Sequence, residues 1–217
     1  MQIKNFDFSN VKNVVFNLDG VLTNSDQNTF GNWLNAGNDL QLPSWDVVWM
    51  FFKCYGTSIE QTKQTLLDYN VDLPVFLKAI NKYSESDRLE LNPHAIELLR
   101  LLKSKSVAIG AVTNLNNVEM LNKELKITEY LSNTTTTEGI ISKPHPDIYV
   151  KAMKAMRADP KHTVIVEDST YGIESALHSG AIAVIAVENL QNHLPYEEAP
   201  QVFVAKDIAD VIRSIRA

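Results

Sequence analysis

Residues 13–20 read NVVFNLDG, an apolar run over 13–18 that closes on Asp19-Gly20. An apolar run of this length ended by a turn pair predicts a buried strand with a turn at its C-terminal end. Outward from it, SVAIGAVT at 106–113, TVIVE at 163–167, AIAVIAV at 181–187 and the short VFVA at 202–205 repeat the pattern. All are rich in Val, Ile and Ala with little alternation, as expected of strands covered on both faces in a parallel sheet. Helical patterns separate them. HAIELLRLLKS at 94–104 sets Ile96, Leu99 and Leu102 on one side, with Leu98 and Leu101 widening the stripe. Residues 146–157, 171–179 and 207–215 also read as helices. Strand and helix alternate from residue 93 to the end, which predicts a doubly wound α/β fold with right-handed crossovers.

Residues 25–92 break that rhythm and carry no strand pattern. WDVVWMFFKCY at 45–55, IEQTKQTLLDY at 59–69 and LPVFLKAINKY at 73–83 are helix candidates. The block follows the first strand directly, where a small all-helical insertion would cover the C-terminal edge of the sheet. Asn92-Pro93 marks the return, because the residue before proline avoids helix. The division expected is a core of residues 1–24 and 93–217 and a helical cap of residues 25–92, joined near Thr23–Ser25 and Leu91–Pro93. Thr134–Thr137 is the one low-complexity patch and reads as an extended segment.

The chain has 217 residues, 45% apolar and 21% charged, with a net charge of −6. That balance excludes a broad nucleic-acid or anionic-membrane surface but leaves room for a local cationic pocket. Cys54 is the single cysteine, so no intramolecular disulfide forms and a reducing compartment fits. The first residues, MQIKNFDFSNVKN, lack a signal-peptide pattern, and no apolar stretch approaches the ~20 residues of a membrane span. A cytoplasmic protein is expected; oligomeric state leaves no mark in the sequence.

In open α/β sheets ligands bind at the C-terminal ends of the strands. The first strand delivers Asn17, Asp19 and Gly20 there, the second Thr113 and Asn114, and the strand at 163–167 delivers Glu167 and Asp168. Lys143 lies on the loop SKPHP ahead of a helix. Acids, a hydroxyl and a lysine on one rim suit phosphoryl transfer. Hard Mg²⁺ takes carboxylate, water and phosphate oxygens. A hydroxyl and an ammonium hold the remaining phosphoryl oxygens as charge develops. Adjacent acids also need a cation, since like charges raise each other's pKa.

VVFNLDGVLTNS resembles the first motif of the haloacid dehalogenase superfamily, a hydrophobic run followed by D-x-D-G. AVTN resembles the second motif, the S-K-P-x-P-x-I-Y stretch at 142–149 the third, and VIVEDSTYGIESALHSGA the fourth. The order and spacing match across the whole core, and the insertion lies where that superfamily carries a small helical cap. The branch most similar holds β-phosphoglucomutase and small sugar-phosphate phosphatases. The resemblance implies a Rossmann-like core, Mg²⁺ as cofactor and a small phosphorylated metabolite as partner. It also implies a role for each matching residue. Asp19 would be general acid and base. Thr113 and Lys143 would bind phosphate, with Gly20 and Asn114 as further contacts. Asp168, with Glu167, the residue at 17 and the Asp19 carbonyl, would hold the metal.

The departure is Asn17, which stands where the family's motif has the aspartate that attacks phosphorus. A neutral amide is a poor nucleophile and a weaker magnesium ligand than a carboxylate. Two readings stay open: an Asp→Asn variant of a working enzyme, and a non-catalytic binding or regulatory relative that kept the pocket. Tyr55-Gly56-Thr57-Ser58 falls where the family's cap loop meets substrate, and Lys53 stands nearby. Ile59 replaces the basic residue that the mutase carries after its cap-loop serine, which favours a phosphatase over a mutase. A bacterial receiver domain also uses acids, a Thr and a Lys, but lacks the 25–92 insertion. His94, His162, His178 and His193 form no spaced metal set, and His145 reads as structural or exposed.

Overall fold

The structure is a computed structural model that describes residues 6–57, 59–84, 89–114, 118–188 and 199–216. Ser58 and His193, singled out above, lie outside the described residues. The chain divides into two compact units, Met1–Thr23 with Leu91–Ala217, and Asn24–Glu90.

The first unit is built on a six-stranded sheet: β1 (Asn13–Asn17), β2 (Ala108–Thr113), β3 (Asn133–Thr136), β4 (Thr163–Glu167), β5 (Ala183–Val187) and β6 (Val202–Ala205). Their order is β3-β2-β1-β4-β5-β6, and every neighbouring pair is parallel. The order turns back at β1, so β1 has β2 on one side and β4 on the other, in register Val15↔Gly110 and Val15↔Ile165. Polar residues that end β1, β2 and β4 therefore meet at one place, as the switch in strand order requires.

The helices of this unit, with one exception, are those the apolar periodicity predicts. They are α5 (Ala95–Ser104), α6 (Val118–Glu124), α7 (Asp147–Met156), α8 (Thr170–His178) and α9 (Ile208–Arg216). Val15, Val112, Ile165 and Val184 line one face of the sheet against Ile148, Tyr149, Met153 and Ile173 of α7 and α8. The alternate set, Val14, Phe16, Ile109, Ala111, Val164 and Val166, is buried too, so both faces are covered. At Gly110 of β2 an added Cβ would land on the Met156 sulfur, which shows how closely α7 lies on the sheet.

Two elements depart from the sequence reading. The Thr134–Thr137 region is not merely extended but forms β3, paired to β2 with Val112 opposite Thr135. Threonine suits a strand through its β-branch, but four in a row give no alternation to mark one. The seven-residue α6 follows β2 without a pattern long enough to register.

The second unit is helical: α1 (Ser25–Asp39), α2 (Ser44–Cys54), α3 (Ile59–Asp68) and α4 (Leu73–Ser84). The sequence predicts the last three and misses α1, because SDQNTFGNWLNAGND is rich in Asn and Gly, which are poor helix formers. Packing decides its structure instead. Trp33 and Ala36 are buried against Val47, Met50, Phe51, Leu66 and Phe76. A Cβ at Gly37 would collide with Val47, so this glycine sets how closely α1 and α2 approach. The unit's ends are tied together, with Asn24 N donating to Glu90 O and Glu90 N donating to Asn24 Oδ1, both at 3.0 Å.

Candidate active site

β1 is buried along its whole length and ends at Asn17, beyond which Leu18 N still donates to Val112 O at 2.8 Å. The chain then turns at Gly20, whose φ of 86° lies in the left-handed region that glycine adopts without a Cβ penalty. The turn is held from a distance in sequence. Asn92 directs its side-chain amide at the carbonyls of Gly20 (2.9 Å), Val21 (2.9 Å) and Thr23 (3.0 Å). The sequence marked Asn92 only as the residue before a proline; its side-chain role leaves no sequence signal.

Asn17, Asp19, Thr113, Lys143, Glu167 and Asp168 come together at the C-terminal ends of β1, β2 and β4. Asn17 Nδ2 donates to Asp168 Oδ1 at 2.9 Å and to the Asp19 carbonyl at 2.5 Å. Its Oδ1 accepts from Lys143 Nζ at 3.2 Å. Thr113 Oγ1 donates to Asp19 Oδ2 at 2.6 Å, and the Asn114 backbone N–H adds a second bond to that carboxyl. Burial pushes the Asp19 carboxyl above the ordinary carboxylate range, and the Thr113 bond and Lys143 only partly offset it. Asn114 contributes this backbone group while its side chain is exposed, and Gly20 faces Asn92 through its carbonyl.

Glu167 sits differently from the expected metal ligand. Its Oε1 takes the Lys143 ammonium at 2.5 Å and the Tyr149 hydroxyl at 2.8 Å. Its Oε2 accepts from Asp168 N, Ser169 N and Ser169 Oγ. In this arrangement both oxygens accept hydrogen bonds from the chain, and Lys143 is the cation beside them. Burial works against its ionisation, but Lys143, the Ser169 N–H and the Tyr149 hydroxyl outweigh that and hold its pKa below the usual range. A Cβ at Gly172 would fall on the Glu167 carboxyl, so the glycine of α8's first turn makes room for it. Tyr149 is the tyrosine that closes the S-K-P-x-P-x-I-Y stretch. It is fully buried, supports Glu167 from α7 and lies beneath Lys143, whose Nζ is 5.5 Å from the ring centroid. Burial and the Glu167 charge push its hydroxyl well above 10. His145 is half-exposed beside Asp147 at 3.0 Å, outside this network. Lys53, in the helical unit, is exposed with its ammonium over Tyr69.

The Mg²⁺ implied by the sequence would draw on the Asp168 carboxylate and the Asp19 carbonyl. Both oxygens already accept from Asn17 Nδ2, a donor that cannot be a ligand. Among the described residues no group of three His, Cys, Asp or Glu side chains is placed to hold a metal ion. As arranged, the residues do not fit a hard cation.

Comparison with known proteins follows the same lines. The chain is 25% identical to β-phosphoglucomutase of Bacillus subtilis over 80% of its length and 82% of that protein. It is 23% identical to pyrophosphatase PpaX of Oceanobacillus iheyensis over 93% of its length and 95% of that protein. Among solved structures, CbbY from Rhodobacter sphaeroides in complex with phosphate superposes with a TM-score of 0.71, at 17% identity, covering 95% of this chain and 100% of that one. An Asp→Asn mutant of the same protein, in complex with xylulose-(1,5)bisphosphate, gives 0.68 at 17% identity, covering 89% and 93%. The fold is thus the Rossmann-like one of these hydrolases, and relatives act on phosphorylated small molecules. Family enzymes generally use Mg²⁺. Among the described residues, no helix is long and apolar enough to cross a membrane. Residues 14–187 match the model of the haloacid dehalogenase-like hydrolases, and the chain belongs to that family of phosphoryl-transfer proteins.

Proposed function

We propose that this chain is a phosphatase framework for small, sugar-phosphate-like phosphomonoesters, silenced at the chemical step by Asn17. The observation that supports it is the single network joining Asn17, Asp19, Thr113, Lys143 and Asp168 at the rim of β1, β2 and β4. In this reading Thr113 and Lys143 hold phosphoryl oxygens, with the Gly20 and Asn114 backbone beside them. Asp19 serves the departing oxygen as acid and the incoming water as base. Position 17 is where a carboxylate would attack phosphorus. A neutral amide there can bind a phosphate ester but lacks the carboxylate that would attack phosphorus. Residues 25–92 take the part of a cap domain, and the cytoplasm is the proposed location.

The test is phosphate release over a panel of small phosphomonoesters in Mg²⁺, with the chain as it stands and with Asn17→Asp. The aspartate variant is expected to hydrolyse at least one class, and the Asn17 chain to be slower by on the order of a millionfold. Binding of those esters by a folded Asn17→Asp protein, with no hydrolysis of any of them, would establish the non-catalytic binding relative instead.

A further inference from the structure

We propose that the Asn17 amide takes the place of a cation in this site, so that the acid set is satisfied without metal and Mg²⁺ must displace the amide to enter. The inference rests on the reading of this rim as a phosphoryl site only for the identity of the ion. The amide is held at both ends. Its NH₂ lies on the Asp168 carboxylate (2.9 Å) and the Asp19 carbonyl (2.5 Å), and its oxygen faces the Lys143 ammonium (3.2 Å). Turning it over would set NH₂ against an ammonium and an oxygen against a carboxylate. Its partners therefore fix its orientation, because both contacts of the turned-over amide are repulsive.

Asn17 is 6% exposed and Asp168 fully buried, so neither finds replacement partners in water. A buried carboxylate needs donors or a cation, and Asn17 is one of the donors that the chain itself supplies to Asp168. To ligate Mg²⁺ through its oxygen, Asn17 would have to give up its bonds to Asp168 and Asp19 and its contact with Lys143. With aspartate at 17 the logic reverses. Two carboxylates would then face each other across the Asn17–Asp168 contact, and a cation is what relieves them.

The experiment compares thermal unfolding of the Asn17 chain and of Asn17→Asp, each in chelator and in millimolar Mg²⁺, with Mg²⁺ calorimetry on both. The Asn17 chain should show the same Tm in both media and no measurable Mg²⁺ binding heat. Asn17→Asp should melt lower than the Asn17 chain in chelator, and its Tm should climb with free Mg²⁺ as mass action requires. Should the aspartate variant not fold, ¹⁵N spectra of the Asn17 chain decide alone. The Asn17 side-chain pair, assigned by its loss in Asn17→Ser, should exchange slowly and stay unmoved through a Mg²⁺ titration. Mg²⁺ binding by the Asn17 chain as tight as that of Asn17→Asp, or a Mg²⁺-induced shift of that amide pair, would overturn the proposal. An Asn17→Asp protein that gains Mg²⁺-dependent stability yet hydrolyses nothing would instead sink the phosphatase reading and leave this one standing.

Discussion

The sheet unit and the helical unit solve burial in opposite ways. At the strand rim of the sheet unit, polar side chains are buried and hydrogen-bonded: Asn17, Thr113, Lys143, Glu167, Asp168 and Ser169 are all buried, and each has hydrogen-bond partners. In the helical unit Asn32 is the one buried polar residue among those described, and the core is Trp33, Met50, Phe51, Leu66 and Phe76 with edge-on aromatic contacts. Outside, both units expose large apolar side chains, Met120 and Ile141 in the sheet unit among them. Trp45 and Trp49 of α2 are 69% and 48% exposed and stack edge to face. A core held by directional bonds fails when one partner is removed, because the other stays behind unsatisfied. A core held by apolar contact fails in proportion to the volume removed.

The sharpest break of the first kind is Lys143→Met. It keeps the volume and strands the fully buried Glu167 carboxylate, whose Oε1 retains only Tyr149. Losing one partner of a buried pair costs about 3–5 kcal/mol, to be read as a lowered urea midpoint. A loss below about 1 kcal/mol, the value of an exposed pair, would show that Lys143 is not committed to Glu167. In the helical unit, Leu66→Ala removes a fully buried side chain and should cost about 2–5 kcal/mol. Partial refilling of the resulting cavity by a larger apolar residue should recover part of that loss. No apolar residue should rescue Lys143→Ala to the same extent.

The two units also differ in how legible they are from the residues alone. β1, β2, β4 and β5 announced themselves as Val- and Ile-rich runs because a doubly covered strand tolerates little else. The site residues came with them, since Asn17, Thr113 and Glu167 end those strands and Asp168 follows. What the sequence did not show was direction. Glu167 stands next to Asp168 in the chain, yet one turns to Lys143 and Tyr149 and the other to Asn17. Nor did it show support from far away, as Asn92 gives to Gly20. In the helical unit, α2 and α4 were legible from apolar periodicity, whereas α1 was hidden because its helix is imposed by Trp33 and Ala36 packing rather than by propensity.

Glycine substitutions give a smaller and more local contrast. Gly172→Ala pushes a methyl into the Glu167 carboxyl, which is pinned by five donors and cannot retreat. Overpacking of that kind costs about 1–3 kcal/mol. Gly31→Ala on α1 meets nothing within 4 Å and should raise stability by about 0.4–1 kcal/mol, because alanine restricts the unfolded chain. Equal effects from the two, measured by chemical denaturation, would mean that α8 yields more readily than its bonds to Glu167 imply.

The smallest expected effects ask whether the two units obey the same local rules. Asp72 accepts from Val75 N at 3.2 Å ahead of α4, and Asp207 accepts from Asp210 N at 2.8 Å at the start of α9. Each satisfies a helix N–H that has no partner within the helix, so Asp72→Ala and Asp207→Ala should each cost about 1 kcal/mol. The α9 end carries one further feature. Asp210 accepts from Lys206 N at 3.0 Å and pairs with Arg213. Burial alone would push its carboxyl up, but Arg213 and the Lys206 N–H together hold it below the ordinary range. A depressed acid stabilises the fold above its unfolded pKa, and that contribution is lost as pH falls through the folded value. Asp210→Asn should therefore flatten the acid limb of the stability curve from about pH 4 downward while changing its neutral plateau by the lost Arg213 pairing. Urea midpoints taken across that pH range measure both, and an unchanged acid slope in Asp210→Asn would place the Arg213 contact in solvent rather than against the fold.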